Sequence, residues 1–192
     1  MKQKTILVVQ GGVSSERDIS LKSGKACIKA LKKMKYKIIL FDPAKKHLSK
    51  IKQYAKKVDL IFNALHGRDG EDGIAQSYFE YFKIPYTHSG IISSMNAMDK
   101  IISKKIFKKN NLLTPNYIFL NSINYKKYLI KKVLRNSSLN YPMVVKPSNE
   151  GSSIGVEICK NFNQLKKSVI KLIKNYKTLI IEKYIAGQEI QV

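Results

Sequence analysis

Long apolar runs are what this sequence most lacks. No stretch of its 192 residues approaches the ~20 uninterrupted apolar positions of a membrane helix. The first apolar run, Thr5-Ile6-Leu7-Val8-Val9-Gln10, is too short for a secretory core. It leads into Gly11-Gly12 rather than a cleavage site, so it reads as a buried first strand. The expected location is the cytoplasm, without membrane insertion. Cysteine is also scarce. Cys27 and Cys159 stand far apart with no His or Cys nearby, which argues against a disulfide framework or a zinc site. Arginine is scarcer than the charge suggests: Arg17, Arg68 and Arg135 are the only arginines among 36 basic residues, in a chain of net charge +23. Such a charge raises the question of nucleic acid. Base and phosphate recognition favours arginine, however, and here lysines are scattered among Ile and Asn, as AT-rich codons dictate. No specific nucleic-acid partner is expected, although the charge draws anionic ligands toward the surface. Internal repeats and low-complexity linkers are missing too.

What is present alternates strand and helix. After the strand at 5–10, Ile19, Ser23, Ala26, Cys27, Ala30, Leu31 and Met34 recur at the spacing of one helix face, with Ser15 and Asp18 placed as a capping box. Residues 38–41 read as a strand stopped by Asp42-Pro43, and 58–65 as a third strand. A polar loop at 67–73, a helix over 74–83 and a short strand at 84–86 follow. This order predicts a doubly wound parallel sheet in the first half. The second half predicts helices at 99–110 and 124–135, strands at 142–147 and 154–158 around a small-residue loop, a helix at 162–175 and a strand at 178–184. That is a small α+β domain. The expected domains are 1–97 and 98–192. Glu189-Ile190-Gln191-Val192 alternates polar and apolar like a strand under way, so the chain is expected to be a truncated one.

Four segments carry chemistry. Gly11-Gly12 at the end of the first strand lets backbone approach a ligand, but a third glycine in dinucleotide spacing is absent. Glu16, in the first turn of the helix, suits a helix dipole as well as a ligand. His66 at a strand end precedes Gly67, Gly70 and Gly73; it fits a loop folding over a ligand or a structural role. Lys146-Pro147-Ser148-Asn149-Glu150-Gly151-Ser152-Ser153-Ile154-Gly155 is a lysine leaving a strand into glycine and serine. Backbone N–H groups and hydroxyls of such a loop can cradle phosphate, though the Walker A pattern does not occur, and a plain hairpin loop has the same composition. Glu182 and Glu189 flank a strand end and turn. They could take the amino group of an adenine and the hydroxyls of a ribose, or simply face solvent.

Taken in order, these landmarks resemble the D-alanine–D-alanine ligase family: Gly11-Gly12 with Ser15-Glu16-Arg17, His66-Gly67 with Gly70-Glu71-Asp72-Gly73, Met98-Asp99-Lys100, Lys146-Pro147 with Glu150-Gly151-Ser152-Ser153 and Gly155, and Glu182-Lys183 with Gly187 and Glu189. The resemblance spans residues 5–192. It implies the ATP-grasp superfamily, with an N-terminal pre-ATP-grasp α/β domain and a central ATP-grasp domain present and the C-terminal ATP-grasp domain absent. It implies ATP as a substrate: ATP phosphorylates one D-alanine, and a second attacks the acyl phosphate to form the dipeptide of peptidoglycan precursors. By motif, Glu16 would hold the ammonium of the first D-alanine, with His66 beside it. Ser152 would orient Glu16 and close over the substrates. Lys100 and Lys146 would meet the phosphates, with Glu150, Ser152 and Ser153 in the loop around them. Glu182, Lys183 and Ile185 would meet adenine, and Glu189 the ribose. Mg2+ or Mn2+ would be held by residues beyond 192, so no metal ligand is assigned here, and the isolated chain is expected to be inactive. The resemblance also implies a homodimer. A ligase using D-lactate or D-serine as the second substrate, or a non-catalytic nucleotide-binding module, fits the same residues.

Overall fold

Alternation of β-branched strands with amphipathic helices leaves each sheet face needing a cover, and the computed structural model shows how both are supplied. It describes residues 3–123, 129–135, 137–188 and 190. The chain divides into two compact units, Met1–Met98 and Asp99–Val192.

The first unit is built on a three-stranded sheet in the order β2-β1-β3. Its strands are β1 (Thr5–Val9), β2 (Lys37–Phe41) and β3 (Leu60–Asn63). Both neighbours run parallel to β1, with Val8 opposite Leu40 and Phe62. The expected strand at 84–86 contributes only an isolated parallel bridge between Ile61 and Tyr86. The third strand is shorter than the expected 58–65. Alternation sends Ile6 and Val8 to one face and Leu7 and Val9 to the other. The first pair meets Ile28 and Leu31 of helix α1 (Arg17–Lys33). The second pair meets Ile51 in a 3₁₀ segment at Leu48–Tyr54 and Phe79 of α2 (Ile74–Tyr81). Helices thus cover both faces, as a doubly wound sheet requires.

Two expectations for α1 fail. Ile19 is 51% exposed and Met34 64% exposed, and Ala26 and Ala30 are exposed too, so the expected apolar spacing overlaps the buried face only at Ser23, Cys27 and Leu31. The buried residues are Ser20 and Gly24, with Cys27, Ile28 and Leu31 half-buried on the same stripe. Ser20 is buried for a polar reason: its hydroxyl accepts from Gly11 N (2.8 Å) and donates to Ala64 O (2.6 Å). Nor do Ser15 and Asp18 form a capping box. Glu16 is the N-cap, without a side-chain cap bond, and Ser14 Oγ instead accepts from Glu16 N at 3.2 Å. Helix α3 (Ile91–Met98), like the 3₁₀ segment, was not foreseen.

The second unit starts with α4 (Lys100–Lys109), capped by Asp99, whose carboxylate accepts from Ile101 N at 2.8 Å. Its antiparallel sheet has the order β4-β7-β5-β6. The strands are β4 (Tyr117–Asn121), β5 (Met143–Pro147), β6 (Glu157–Cys159) and β7 (Thr178–Lys183). β4 was not expected from the sequence. Helix α5 (Leu129–Arg135) occupies the end of the expected 124–135 helix, whose first residues lie outside those described. Helix α6 (Phe162–Leu172) packs Leu165, Val169 and Leu172 against Met143, Val145, Leu179 and Ile181. One face of the sheet is therefore core. The other face carries the paired positions Tyr117 and Glu182, Val144 and Ile158, and Lys146 and Ile180. No helix of the described residues is long and apolar enough to cross a membrane.

Candidate functional site

In the first unit the chain turns from β1 to β2 on one side and then places β3 on the other side of β1. The order reverses between β1 and β3, and ligands of open parallel sheets bind in the crevice beyond that reversal. Both expected motifs of the first half lie there: Gly11-Gly12 follows β1 and His66-Gly67 follows β3. The glycines are needed for their conformation. Gly11, Gly12 and Gly67 have φ of 85°, 75° and 67°. A methyl group at Gly67 would lie 2.4 Å from Glu16 Oε2, so the Glu16 carboxylate rests directly on this backbone.

Hydrogen bonds lock the two loops together. Ser14 Oγ donates to His66 O at 2.7 Å. Gly67 N donates to Glu71 Oε2 at 3.0 Å. The His66 ring sits between Ser23 Oγ (Nε2, 3.2 Å) and Glu71 Oε1 (Nδ1, 3.6 Å). Glu16 is buried, at the start of α1. Arg17 grips Asp42 with both arms (3.0 and 2.7 Å) and donates to Gly12 O, while Gly12 N donates to Asp42 Oδ1. The guanidinium, aided by the Gly12 and Ala44 N–H groups, holds the Asp42 carboxyl below its usual range against the opposing effect of burial. Asn63, 2% exposed, donates to Gly70 O (3.0 Å) and accepts from Leu65 N (3.3 Å); Gln76 also donates to Gly70 O (2.8 Å). Sequence reasoning missed Asn63 and Ser23. The signal for Asn63 was a polar residue ending an apolar strand.

In the second unit the open sheet face mixes apolar floor and charge. Lys146 and Glu182, on neighbouring strands, form an ion pair. Lys104, from α4, meets the other carboxylate oxygen of Glu182 at 2.8 Å. Lys100, one turn earlier on the same helix, donates through its ammonium to Glu150 O and through its backbone to Ser148 O. Burial pushes the Lys100 ammonium below the ordinary lysine range, and the charge of Lys146 adds to the shift. Two ammoniums, those of Lys104 and Lys146, therefore hold one carboxylate, and a third, that of Lys100, meets the loop that follows β5.

That loop departs from the expected strand at 154–158. Ser152, Ser153 and Gly155 have φ of 45°, 58° and 71°. Two tight turns result, closed by Ile154 N to Gly151 O (2.9 Å) and Val156 N to Ser153 O (3.2 Å). Strand pairing resumes only at Glu157. Non-glycine residues in this region carry backbone strain, which clusters at ligand-binding loops. Gly155 is close-packed as well: a methyl there would meet Pro147 at 2.9 Å.

The expected site residues thus gather in two sets, Glu16 with the His66 loop and Lys100 with Lys146, Glu182 and the loop of Glu150, Ser152 and Ser153. Lys183 ends β7 with its side chain exposed, and Ile185 is exposed beyond it. Glu189 lies outside the described residues. Lys104 was missed, although it stands one helical turn after Lys100. Among the described residues no three His, Cys, Asp or Glu side chains cluster as metal ligands would.

Comparison with known proteins bears on both sets. A family profile described as "D-ala D-ala ligase N-terminus" matches residues 42–89, and one described as "D-ala D-ala ligase C-terminus" matches residues 106–192. The chain is 51% identical over 189 residues to the D-alanine–D-alanine ligase of Pelagibacter ubique, covering 98% of this chain and 60% of that protein. The crystal structure of D-alanine–D-alanine ligase from Bacillus anthracis matches with a TM-score of 0.83 at 36% identity, over 96% of this chain and 58% of that one. Its complex with ATP matches with a TM-score of 0.82 at 34% identity, over 96% and 60%. The chain spans about 60% of the length of the relatives it matches. With one profile on each unit and both folds found together in solved relatives, this chain belongs to the D-alanine–D-alanine ligase family.

Proposed function

We propose that the chain supplies the first D-alanine site and the nucleotide site of an ATP-dependent D-alanine–D-alanine ligase. The observation that carries this reading is the convergence of Lys104 and Lys146 on Glu182, with the Lys100 ammonium on the Glu150 carbonyl, beside a strained serine–glycine loop. Such a surface suits a polyphosphate with an apolar ring. Ammoniums and loop N–H groups neutralise the phosphates, and the open strand positions around Val144 and Ile158 receive the ring. In the reaction the γ-phosphoryl group of ATP passes to a carboxylate oxygen of D-alanine, giving ADP and an acyl phosphate. The amine of a second D-alanine attacks the carbonyl carbon, and the tetrahedral species expels phosphate as the peptide bond forms. Lys100 and Lys146 offset charge on the transferring group. Glu16 accepts from the ammonium of the first D-alanine, and His66, braced by Ser23 and Glu71, lines the same crevice. Ser152 and Ser153 offer hydroxyls to the phosphates, and Ser152 closes over the substrates as well. Lys183 and Ile185 present backbone to the adenine. The divalent cation that the family resemblance implies finds no matching ligand set among the described residues.

We also read the first unit as self-associating into a homodimer. Ile74 and Tyr81 of α2, with Ile92 and Met95 of α3, leave large apolar side chains exposed on packed helices. The cytoplasm remains the location this function requires. Calorimetric titration with ATP and with D-alanine tests the assignment. Lys146→Met should weaken ATP alone and Glu16→Gln should weaken D-alanine alone. Equal loss of both ligands in either variant would overturn it.

A further inference from the structure

Lys104 is almost fully buried, 6% exposed, in a helix whose Lys105, Lys108 and Lys109 face solvent. An ammonium taken out of water costs several kcal/mol unless its donors are satisfied. It has three donors; it hydrogen-bonds to Thr114 Oγ1 at 2.7 Å and Pro115 O at 3.1 Å, and Glu182 Oε2 meets it at 2.8 Å as an ion pair rather than an aligned hydrogen bond. Its charge also lies over the Tyr117 ring, 5.2 Å from the centroid. Lys104 is therefore fixed in place, and through it so is one oxygen of Glu182. The other oxygen, Oε1, belongs to Lys146.

This division of one carboxylate matters electrostatically. Were Lys104 uncharged, the whole charge of Glu182, itself 6% exposed, would fall to Lys146. The Lys146 ammonium would then be neutralised by protein before any anion arrived. With Lys104 present, the carboxylate is shared and Lys146 keeps charge for a ligand. We propose that Lys104 is a positioning residue of the nucleotide site: it holds Glu182 by one oxygen so that Lys146 stays available to a phosphate. The inference rests on the reading of this face as a nucleotide site and adds a residue acting through Glu182 rather than on the ligand.

The test uses the full chain as parent, Lys104→Met, Glu182→Gln and the double variant, with two measurements. The first is ATP affinity by calorimetry. Lys104→Met should weaken ATP by about tenfold, the size of one charge-assisted hydrogen bond. In the Glu182→Gln background, Lys104→Met should add little further loss, because no carboxylate remains to compete for Lys146. The second is the rate at which an amine-acylating reagent modifies Lys146 without nucleotide, followed by mass spectrometry. Lys104→Met should slow that rate, since Glu182 then grips the ammonium harder. Simple loosening of the structure would raise it. Should Lys104→Met not fold, Lys104→Gln keeps donors for Thr114 and Pro115 while removing the charge, and is read the same way. An unchanged or faster Lys146 rate, or a double variant whose ATP loss is the product of the single losses, overturns the role of Lys104. A parent that binds no ATP overturns the nucleotide-site reading itself.

Discussion

The two halves of the molecule make their sites from different materials. In the first unit the main chain does most of the positioning. Glycines at positive φ bring backbone close, Ser14, Ser20 and Asn63 bond to carbonyls and N–H groups, and Arg17 and Asp42 cancel each other's charge while clamping Gly12. In the second unit side-chain charge dominates, with Lys104 and Lys146 on Glu182 and Lys100 on the Glu150 carbonyl. The first construction is directional, which suits a small zwitterion held by geometry. The second carries an excess of positive charge, which suits a polyanion met by a serine–glycine loop. Two substrates of unlike charge would need both.

The largest expected effect tests whether the first site depends on main-chain scaffolding. Asn63→Ala strips a donor from Gly70 O and leaves Leu65 N without its acceptor in a buried setting. Orphaned buried groups cost about 1–3 kcal/mol each, so a loss of ~2–3 kcal/mol is expected in urea unfolding. Hydrogen exchange should place the loosening in residues 3–98. Parent-like stability would mean that Gln76 alone holds the loop, and the scaffolding argument would lose its main strut.

Next is Lys146→Met, the direct test of the charged site. Losing a charge-assisted hydrogen bond should raise the Kd for ATP by roughly 10- to 100-fold. The affinity for D-alanine should stay within about twofold if the two sites draw on separate materials. A third test needs no variant. Raising salt from about 50 mM to about 500 mM shortens the screening length several-fold. ATP binding should weaken by several-fold while D-alanine binding hardly moves. Equal salt dependence would erase the distinction.

Sequence reading reached these sites unevenly, for physical reasons. Motif glycines and serines are legible because each signals an unusual backbone, and Gly67, Ser152 and Gly155 all sit where positive φ is needed. Apolar runs located β1, β5 and β7 because each is a central strand with a neighbour on both edges. The helix face of α1 was misread because a hydrophobic pattern cannot register Ser20, which is buried for its hydrogen bonds to Gly11 and Ala64. Lys104 was invisible for a related reason. In a lysine-rich helix nothing local separates the one that turns inward, and its partners come from residues 10 to 78 positions away. Strand β4 was missed because its pattern is weak: Phe119 faces outward from it and only Leu120 is fully buried.

The smallest expected effect concerns two carboxylates, one in each unit, whose protonation should register the same contrast. Asp42 is held below its usual range by the Arg17 pair and by N–H groups of Gly12 and Ala44. Glu157 is lowered chiefly by Lys171, whose side chain is 70% exposed, and by the Ser168 hydroxyl. A carboxyl lowered on folding contributes stability that is complete above its unfolded value, about 4. That contribution fades as pH falls through the lower folded value. Asp42→Asn should therefore melt below the parent at neutral pH, with the gap closing under acid conditions. Glu157→Gln should show the same sign with a smaller gap, since an exposed lysine partner contributes at most ~1 kcal/mol. High salt should abolish most of the Glu157 gap and leave much of the Asp42 gap, because fixed N–H groups are not screened as a mobile lysine is. Thermal melts across pH at low and high salt decide the matter: a gap for Asp42 that widens in acid would show that its folded carboxyl is not held down, and equal salt sensitivity at both positions would place the two units under one electrostatic rule.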